Sequence, residues 1–452
     1  MDTPASTTTE TALASFVSGT GATDIPAEAV RTAERAFVDT VGVTVAGSDA
    51  DAGRRAARIA KREQGETTLL GHDETGGLFD GIFANATAGH ALDFDDTALS
   101  ATDGHPSVPM VAPLLAVGER ERASGRELLT AYVVGFETQA FLAAPISTGH
   151  YERGWHATAT LGVFGATAAV ASLLNLTDDE VRHALNIAAS MPAGLKRNFG
   201  SMTKPIHAGQ AARSGATAAQ LAAEGVDADT TAISGERGFF DLYRGEETPD
   251  RAASHDVGDQ WMVLSDGIDI KKYACCYYTH AAIYGLVQLV ENHGLTATEI
   301  ESIRIESSRG AIDAVEHDDP DSPTQAKFSM PYLVAYAVVN GTVDLDAFED
   351  GSISDPEVEA VRQRVTFAPD DERQYDDYGA SVTVESTGGA VHERSQGEPP
   401  GTHDDPLTDT ELRAKFEMCW ETVRPRASAE TVYRRLNSLE DIDNIAAVTE
   451  VL

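Results

Sequence analysis

Lysine is scarce in this sequence, which has seven lysines among its 452 residues. Asp and Glu total 72 against 34 Lys and Arg, giving a formal net charge of -38. A surface this acidic repels nucleic acid and anionic membranes, so we expect neither as a partner. At molar salt the Debye length falls to about 3 Å and screens this self-repulsion, so the composition predicts a halophilic protein.

Cysteines and long apolar runs are also few. The three cysteines, Cys275, Cys276 and Cys419, form no recognisable disulfide framework, and the first residues lack a basic region followed by an apolar core. We therefore expect a cytoplasmic protein. The most apolar stretch, residues 162–176, is shorter than the roughly 20 residues of a membrane span and predicts a buried helix.

The common cofactor motifs are absent from the sequence. It has no phosphate-binding lysine loop, no GxGxxG after a strand, no CxxC pair and no HExxH helix. The sequence therefore shows no binding motif for a nucleotide cofactor. The cysteine spacing also argues against an aconitase-type iron–sulfur cluster, which needs at least three spaced cysteines.

The hydrophobic pattern divides the chain into two domains. Residues 1–265 repeat Ala, Leu and Val at helical spacing, and the small side chains of residues 205–224 predict a helix in the middle of a bundle. Residues 266–404 read as α+β, with strands at 300–308 and 380–386 and helices at 325–340 and 355–365. A helix at 409–423, capped by Thr408, lies in a tail, residues 405–452, that we expect to return to the helical domain.

Residues 90–97 place three carboxylates within four positions. If this run is helical, His90, Asp93, Asp96 and Thr97 share one face and Asp95 points elsewhere. Such a face suits a general base or a magnesium site. The alternative is an acidic helix end in an acidic protein.

Three basic residues stand where long helices should begin. His105 and Lys204 each precede a proline that suits the first helical position, and His156 precedes an apolar helix. A helix N-terminus carries about half a positive charge, so three such ends would hold a di- or tricarboxylate. For each histidine taken singly, a core or cap role is the alternative.

A last group of candidate residues is Lys271, Lys272, Tyr273, the Cys275–Cys276 pair and His280. Adjacent cysteines rarely bind one metal, and no spaced partner exists, so we interpret the thiols as structural.

These segments together resemble the MmgE/PrpD family, which includes 2-methylcitrate dehydratases, cis-aconitate decarboxylases and an iminodisuccinate epimerase. The resemblance runs from about residue 9 to residue 423. It rests on GHALDFDDT at 89–97, HPS at 105–107, GWH at 154–156, NFGSMTKPIHAG at 198–209, and KKY at 271–273 with TH at 279–280.

The resemblance implies a mainly α fold with a large all-helical bundle domain and a smaller α+β lid domain, a homodimer, and no metal or organic cofactor. Matched position by position, it implies the catalytic residues Asp93, His105, His156, Lys204 and His280 and the substrate-binding residues Thr97, His207, Lys271 and Tyr332. Two departures are visible. Relatives often have prolines and an arginine where this chain has Lys272, Ala274 and Tyr277, and arginine where it has Lys196.

We therefore predict a lyase or hydratase of a small di- or tricarboxylate, with 2-methylcitrate dehydration first and cis-aconitate decarboxylation or iminodisuccinate epimerisation as alternatives. Asp93 or a histidine would remove a proton next to a carboxylate, while Lys204 and Lys271 stabilise the charge. Two other classes stay open: a Mg²⁺-dependent prenyl-diphosphate enzyme, suggested by the aspartate run, and a non-catalytic binding protein.

Overall fold

The computed structural model describes residues 8–244 and 257–452. Helices account for most of these residues and strands for few, so the prediction of a mainly α protein is confirmed. Two compact units are present, one made of Met1–Ile270 with Thr408–Leu452 and the other of Lys271–Leu407. No helix among the described residues is long and apolar enough to span a bilayer.

The first unit is a helical bundle. Its helices before the second unit are α1 Thr9–Gly19, α2 Ala27–Ser48, α3 Asp51–Ala60, α4 Leu78–Gly89, α5 Leu99–Thr102, α6 Ser107–Glu121, α7 Gly125–Ala143, α8 Ser147–Glu152, α9 Ala157–Thr160, α10 Gly162–Leu173, α11 Asp178–Ala188, α12 Thr203–Ala223, α13 Phe239–Tyr243 and α14 Met262–Ser265. A small hairpin, which the sequence pattern did not predict, pairs β1 Thr67–Thr68 with β2 Thr75–Gly76.

The centre of the bundle is built on small side chains. Helix α10 is buried along almost its whole length and packs against α7 and α12. A Cβ added at Gly209 of α12 would lie 2.7 Å from the carbonyl oxygen of Phe83 in α4, and one at Gly215 would lie 2.5 Å from Ala166 in α10. Glycine is therefore required for these close approaches, and the predicted central position of this helix is confirmed.

The second unit contains helices and one sheet. Its helices are α15 His280–His293, α16 Arg309–Ala314, α17 Pro323–Ala326, α18 Met330–Asn340, α19 Asp350–Ile353 and α20 Pro356–Arg362, and its strands are β3 Ile300–Ser307, β4 Val365–Pro369, β5 Ala380–Ser386 and β6 Val391–Gln396. The strand order is β4-β3-β5-β6, with β3 and β4 parallel and the other pairs antiparallel. In register, Ile303 faces Val365 and Val384 in the two neighbouring strands.

Two boundaries in this unit differ from the sequence prediction. The helix predicted at 325–340 is broken, because the Ser329 side chain accepts a hydrogen bond from the backbone N–H of Tyr332 and starts α18 afresh. The helix predicted at 355–365 ends at Arg362, and Val365 already belongs to β4.

The tail forms α21 Asp409–Glu421, α22 Arg426–Leu436 and α23 Ala446–Thr449. Thr408 and Glu411 make a capping box at the start of α21, as the sequence indicated for Thr408. Helix α21 packs on α2 within the first unit.

Candidate active site

The carboxylate-rich run is a turn rather than a helix. Helix α4 ends at Gly89, and His90 is its C-cap. Asp93 has a left-handed backbone with φ 54°, which is uncommon outside glycine and costs free energy that the surroundings must offset. The expectation that Asp95 points away from the other candidates is therefore wrong, because the turn directs Asp95 toward His90 and His105.

Asp93 and Lys204 form a buried ion pair at the centre of this group. The Lys204 ammonium donates to Asp93 Oδ1 at 2.7 Å, and the two side chains are 10% and 8% exposed. His105 Nε2 lies 3.8 Å from the same oxygen. The pair thus sets a cation and an anion side by side in a place largely shielded from water.

The basic residues lie close to helix starts but not at the predicted caps. Helix α12 starts at Thr203 with Met202 as N-cap, so Lys204 lies within its first turn. Pro106 is the N-cap of α6, which places His105 one residue before it. His156 is an N-cap, but of the four-residue helix α9.

Asp95 is shared by two histidines. Its Oδ2 lies 2.8 Å from His90 Nδ1 and 3.1 Å from His105 Nδ1. Burial opposes ionisation of Asp95, but the two imidazoles outweigh it and hold the pKa of Asp95 well below its usual range. An ionised carboxylate only accepts hydrogen bonds, so His90 Nδ1 carries the hydrogen and His90 Nε2 keeps its lone pair while the ring is neutral.

His156 and His207 form a second imidazole pair. Their Nδ1 atoms are 3.1 Å apart, so one ring donates and the other accepts. Burial and neighbouring cationic groups lower the pKa of His207 to about 4, and the pKa of His156 well below its usual range. His207 lies three residues after Lys204 on α12, which puts both side chains on the same helix face.

The imidazoles form one contiguous cluster. The His90 ring centroid lies 4.6 Å from that of His105 and 5.6 Å from that of His156. Burial lowers the pKa of His90 to about 4, although Asp95 opposes the shift. At neutral pH the cluster therefore contains neutral rings that can accept a proton beside the fixed charge of Lys204.

Thr97 and Asp96, at the end of the turn, differ in their hydrogen bonds. The Thr97 hydroxyl is buried and has no hydrogen-bond partner among the described groups. Asp96 instead accepts from Ser107 at the start of α6, and Ser107 also contacts the hydroxyl of Tyr132. Burial and then Asp39 raise the pKa of Asp96 well above its usual range, so this acid is neutral and structural.

Three predicted site residues belong to the second unit. Lys271 is 2% exposed, and His280 Nε2 lies 3.3 Å from the Cys275 carbonyl oxygen. The Tyr332 hydroxyl donates to the backbone carbonyl of Ala347, which is a structural contact. Burial raises the pKa of the Cys275 thiol to about 12, which suits a structural cysteine rather than a nucleophile.

Four of the clustered side chains have metal-binding atoms. One ligand atom from each of His90, Asp93, Asp95 and His105 lies within 4.8 Å of the others. The donor types would suit a transition metal. However, the Lys204 ammonium already neutralises Asp93 at 2.7 Å, and its charge opposes a second cation at the same carboxylate.

The structure adds two residues to the predicted set. Asp95 was not chosen because a helical interpretation turned it away from the other candidates. His90 was placed on the face of Asp93 in that interpretation but was not included in the predicted site. Gly89 before the run was a signal for a helix end, since glycine often terminates helices.

Two models of known protein families match the chain. The MmgE/PrpD N-terminal domain matches residues 11–252, and the MmgE/PrpD C-terminal domain matches residues 273–440. The chain belongs to the MmgE/PrpD family.

Curated members of the MmgE/PrpD family include two kinds of enzyme. A cis-aconitate decarboxylase of Mus musculus is 26% identical over 442 residues, covering 94% of this chain and 89% of the relative. A 2-methylcitrate dehydratase of Cupriavidus necator is 26% identical over 300 residues, covering 62% of this chain and 60% of the relative. One from Escherichia coli (strain K12) is 25% identical over 299 residues, with the same coverage.

Proposed function

We propose that this protein is a lyase that acts on a small di- or tricarboxylate by moving a proton at a carbon next to a carboxylate. The observation that carries this proposal is the buried Lys204–Asp93 pair at 2.7 Å, beside His105 and the neutral His156–His207 pair. A cation stabilises the anion that forms when such a proton leaves, and a nearby carboxylate or imidazole removes it.

Dehydration of a 2-methylcitrate-like hydroxy acid is the first candidate reaction. Asp93 takes the proton from carbon, the C–H electron pair forms the carbon–carbon double bond, and the C–O bond breaks. His105, in its protonated form, gives its proton to the leaving hydroxide, so that water departs. Lys204 balances the charge that develops on the substrate carboxylate.

Decarboxylation of cis-aconitate is the second candidate. It is favoured by the span of similarity, because the decarboxylase relative covers 94% of the chain and the dehydratase relatives cover 62%. Here a carbon–carbon bond breaks, CO₂ leaves, and its electron pair passes into the neighbouring double bond. The resulting carbanion takes a proton from an acid such as His105.

The remaining roles rest on the family resemblance. We propose that Thr97, His207 and Lys271 bind substrate carboxylates and that His280 takes part in catalysis. The Tyr332 hydroxyl already donates to the Ala347 carbonyl, so it is not assigned to a substrate carboxylate. A cytoplasmic homodimer that works without metal or organic cofactor belongs to the same proposal.

A substrate panel tests the proposed function. Purified protein in about 3 M KCl, which screens its acidic surface, is incubated with 2-methylcitrate and with cis-aconitate. Alkene absorbance reports dehydration, and released CO₂ reports decarboxylation. Turnover of one acid is expected, with loss in Lys204→Ala. An inactive wild type with both acids would contradict the proposal.

A further inference from the structure

Lys415 is a buried cation outside the predicted site. It lies on α21 in the tail, 321 residues from Phe94 in sequence, and is 6% exposed. Its ammonium donates to the Phe94 carbonyl oxygen at 2.8 Å and stands 4.0 Å from the centre of the Phe94 ring. It also pairs with Asp39 Oδ1 of α2 at 2.6 Å.

Phe94 is the residue between the two site carboxylates. Because the peptide unit is planar, fixing the Phe94 carbonyl oxygen also fixes the orientation of the N–H of Asp95. The Phe94 ring is fully buried, and Asp93 before it has the left-handed backbone. A strained turn persists only when its surroundings over-determine it, and Lys415 supplies one such constraint.

The charges beneath the turn explain why a cation is needed there. Burial raises the pKa of Asp39, and Lys415 opposes this shift. Asp39 also lies close to two acids of the turn. The charge of Asp95 raises the pKa of Asp39, and the charge of Asp39 raises the pKa of Asp96. One ammonium therefore balances the Asp39 carboxylate behind the turn and holds the backbone of the turn at Phe94.

We propose that Lys415 is a positioning residue of the site. Paired with Asp39, it holds the Asp93–Asp95 turn so that Asp93 faces Lys204 and Asp95 faces His105. It does not touch the reacting atoms. The inference rests on the proposed function for its kinetic part, whereas its structural part is independent of any substrate.

Two variants distinguish a positioning role of Lys415 in catalysis from a contribution to folding stability alone. Lys415→Met removes the ammonium and leaves Asp39 buried and unpaired, so it should lower the melting temperature and the activity together. The double variant Asp39→Asn/Lys415→Met removes the whole charge pair. Its melting temperature should return most of the way to the wild-type value, since a neutral pair replaces an unpaired buried charge. The Phe94 carbonyl oxygen, however, still lacks the hydrogen-bond donor that the Lys415 ammonium supplied.

The kinetic outcome decides the role. The double variant should keep KM within about threefold and lose at least tenfold in kcat, because a misplaced catalytic group lowers kcat by such factors. Lys61→Met is the matched control, since Lys61 pairs with Glu74 far outside the site and should keep both values. Full recovery of kcat in the double variant would overturn the proposal.

A crystal structure of the double variant keeps the test independent of turnover. The 2.7 Å contact of Asp93 with Lys204 and the 3.1 Å contact of Asp95 with His105 should both lengthen or break. If both contacts and the left-handed Asp93 persist, the proposal is wrong even if no substrate is found. If they change while wild type is inactive on every acid, the proposed function fails and the positioning role stands.

Discussion

Two neighbouring carboxylates in one turn have opposite states. Asp93 is paired with the Lys204 ammonium, whereas the carboxyl of Asp96 is held neutral by burial and contacts Ser107. Replacement by asparagine should therefore affect them differently, although the change in shape is the same.

Asp93→Asn is expected to lower kcat by about 10²- to 10⁴-fold, the range for loss of a general acid or base. Asp96→Asn, the matched control, should keep kcat within about threefold, since an amide resembles the neutral acid that it replaces. Steady-state kinetics and thermal unfolding of both variants check this. Equal losses in the two variants would contradict the assignment of Asp93.

Asp95 sets the tautomer of His90 and lies 3.1 Å from His105 Nδ1, so Asp95→Asn should lower kcat by about 10- to 100-fold. An asparagine can donate through its amide to Nδ1, which would move the hydrogen of His90 or His105 to Nε2. The measurement is kcat together with the nitrogen chemical shifts of the imidazoles. Unchanged shifts with full activity would show that Asp95 is only structural.

At this scale the sequence identified the residue types but not their orientation. Two of the chosen residues, His105 and Lys204, lie beside Asp93, and two others, His156 and His207, lie beside each other, while their roles stay predictions. Asp95 was missed because its direction depends on the φ angle of Asp93, and no periodic pattern reports one left-handed residue. His90 was placed on the face of Asp93 but was not included in the predicted site. Lys415 was missed because its contact with Phe94 joins distant parts of the chain.

Among the elements, the short helix α14 depends on one buried acid. Both carboxylate oxygens of Glu137 on α7 accept backbone N–H groups, from Met262 and Val263 at 2.9 Å. Burial outweighs these hydrogen bonds and raises the pKa of Glu137 to about 7. Because this folded-state pKa exceeds the unfolded value of about 4.5, the folded protein keeps its proton between pH 4.5 and 7 while the unfolded chain loses it.

The free energy of unfolding should therefore fall as pH rises through this window, relative to Glu137→Gln, by up to about 3 kcal/mol. The Gln side chain cannot ionise, so the difference between the two proteins isolates this group. Urea unfolding at about pH 5, 6, 7 and 8 measures it. A difference that does not vary with pH would contradict the raised pKa.

Element types were easier to predict than element limits. Strands β3 and β5 alternate buried and exposed side chains, and their pattern alone located them. Strand β6 exposes alternate residues and contains His392, Glu393 and Arg394, so it lacks the apolar signal that marks a strand. Its position follows from pairing with β5, which sequence pattern does not show.

On the scale of the whole molecule, the net charge of -38 sets the conditions in which the protein should be studied. The melting temperature should rise by roughly 10 °C or more between about 0.2 and 3 M KCl, because salt screens the repulsion among surface carboxylates. Sucrose, which is excluded from protein surfaces but carries no charge, is the control and should raise it less. A melting temperature unaffected by KCl would contradict the prediction of a halophilic protein.

The family models cover both units, so the family and the mainly α fold could be predicted from the sequence. The choice between dehydration and decarboxylation was not, because both reactions move a proton at a carbon next to a carboxylate and call for the same types of side chain. The relatives at about 26% identity include enzymes of both names.

The central claim, that the site moves a proton at a carbon next to a carboxylate, is tested most directly by solvent deuterium. Wild type and Asp93→Asn are incubated in D₂O and KCl with cis-aconitate and with 2-methylcitrate, and the products are followed by proton NMR. With cis-aconitate, we predict that wild type places one deuterium in the decarboxylated product, at the carbon that takes up the proton. Dehydration of 2-methylcitrate removes a proton, so there the deuterium should enter the substrate that the reverse hydration re-forms. Asp93→Asn should incorporate deuterium far more slowly with either acid. A decarboxylated product without deuterium, 2-methylcitrate at equilibrium with its alkene but without deuterium, or equal incorporation by the two proteins would contradict the account.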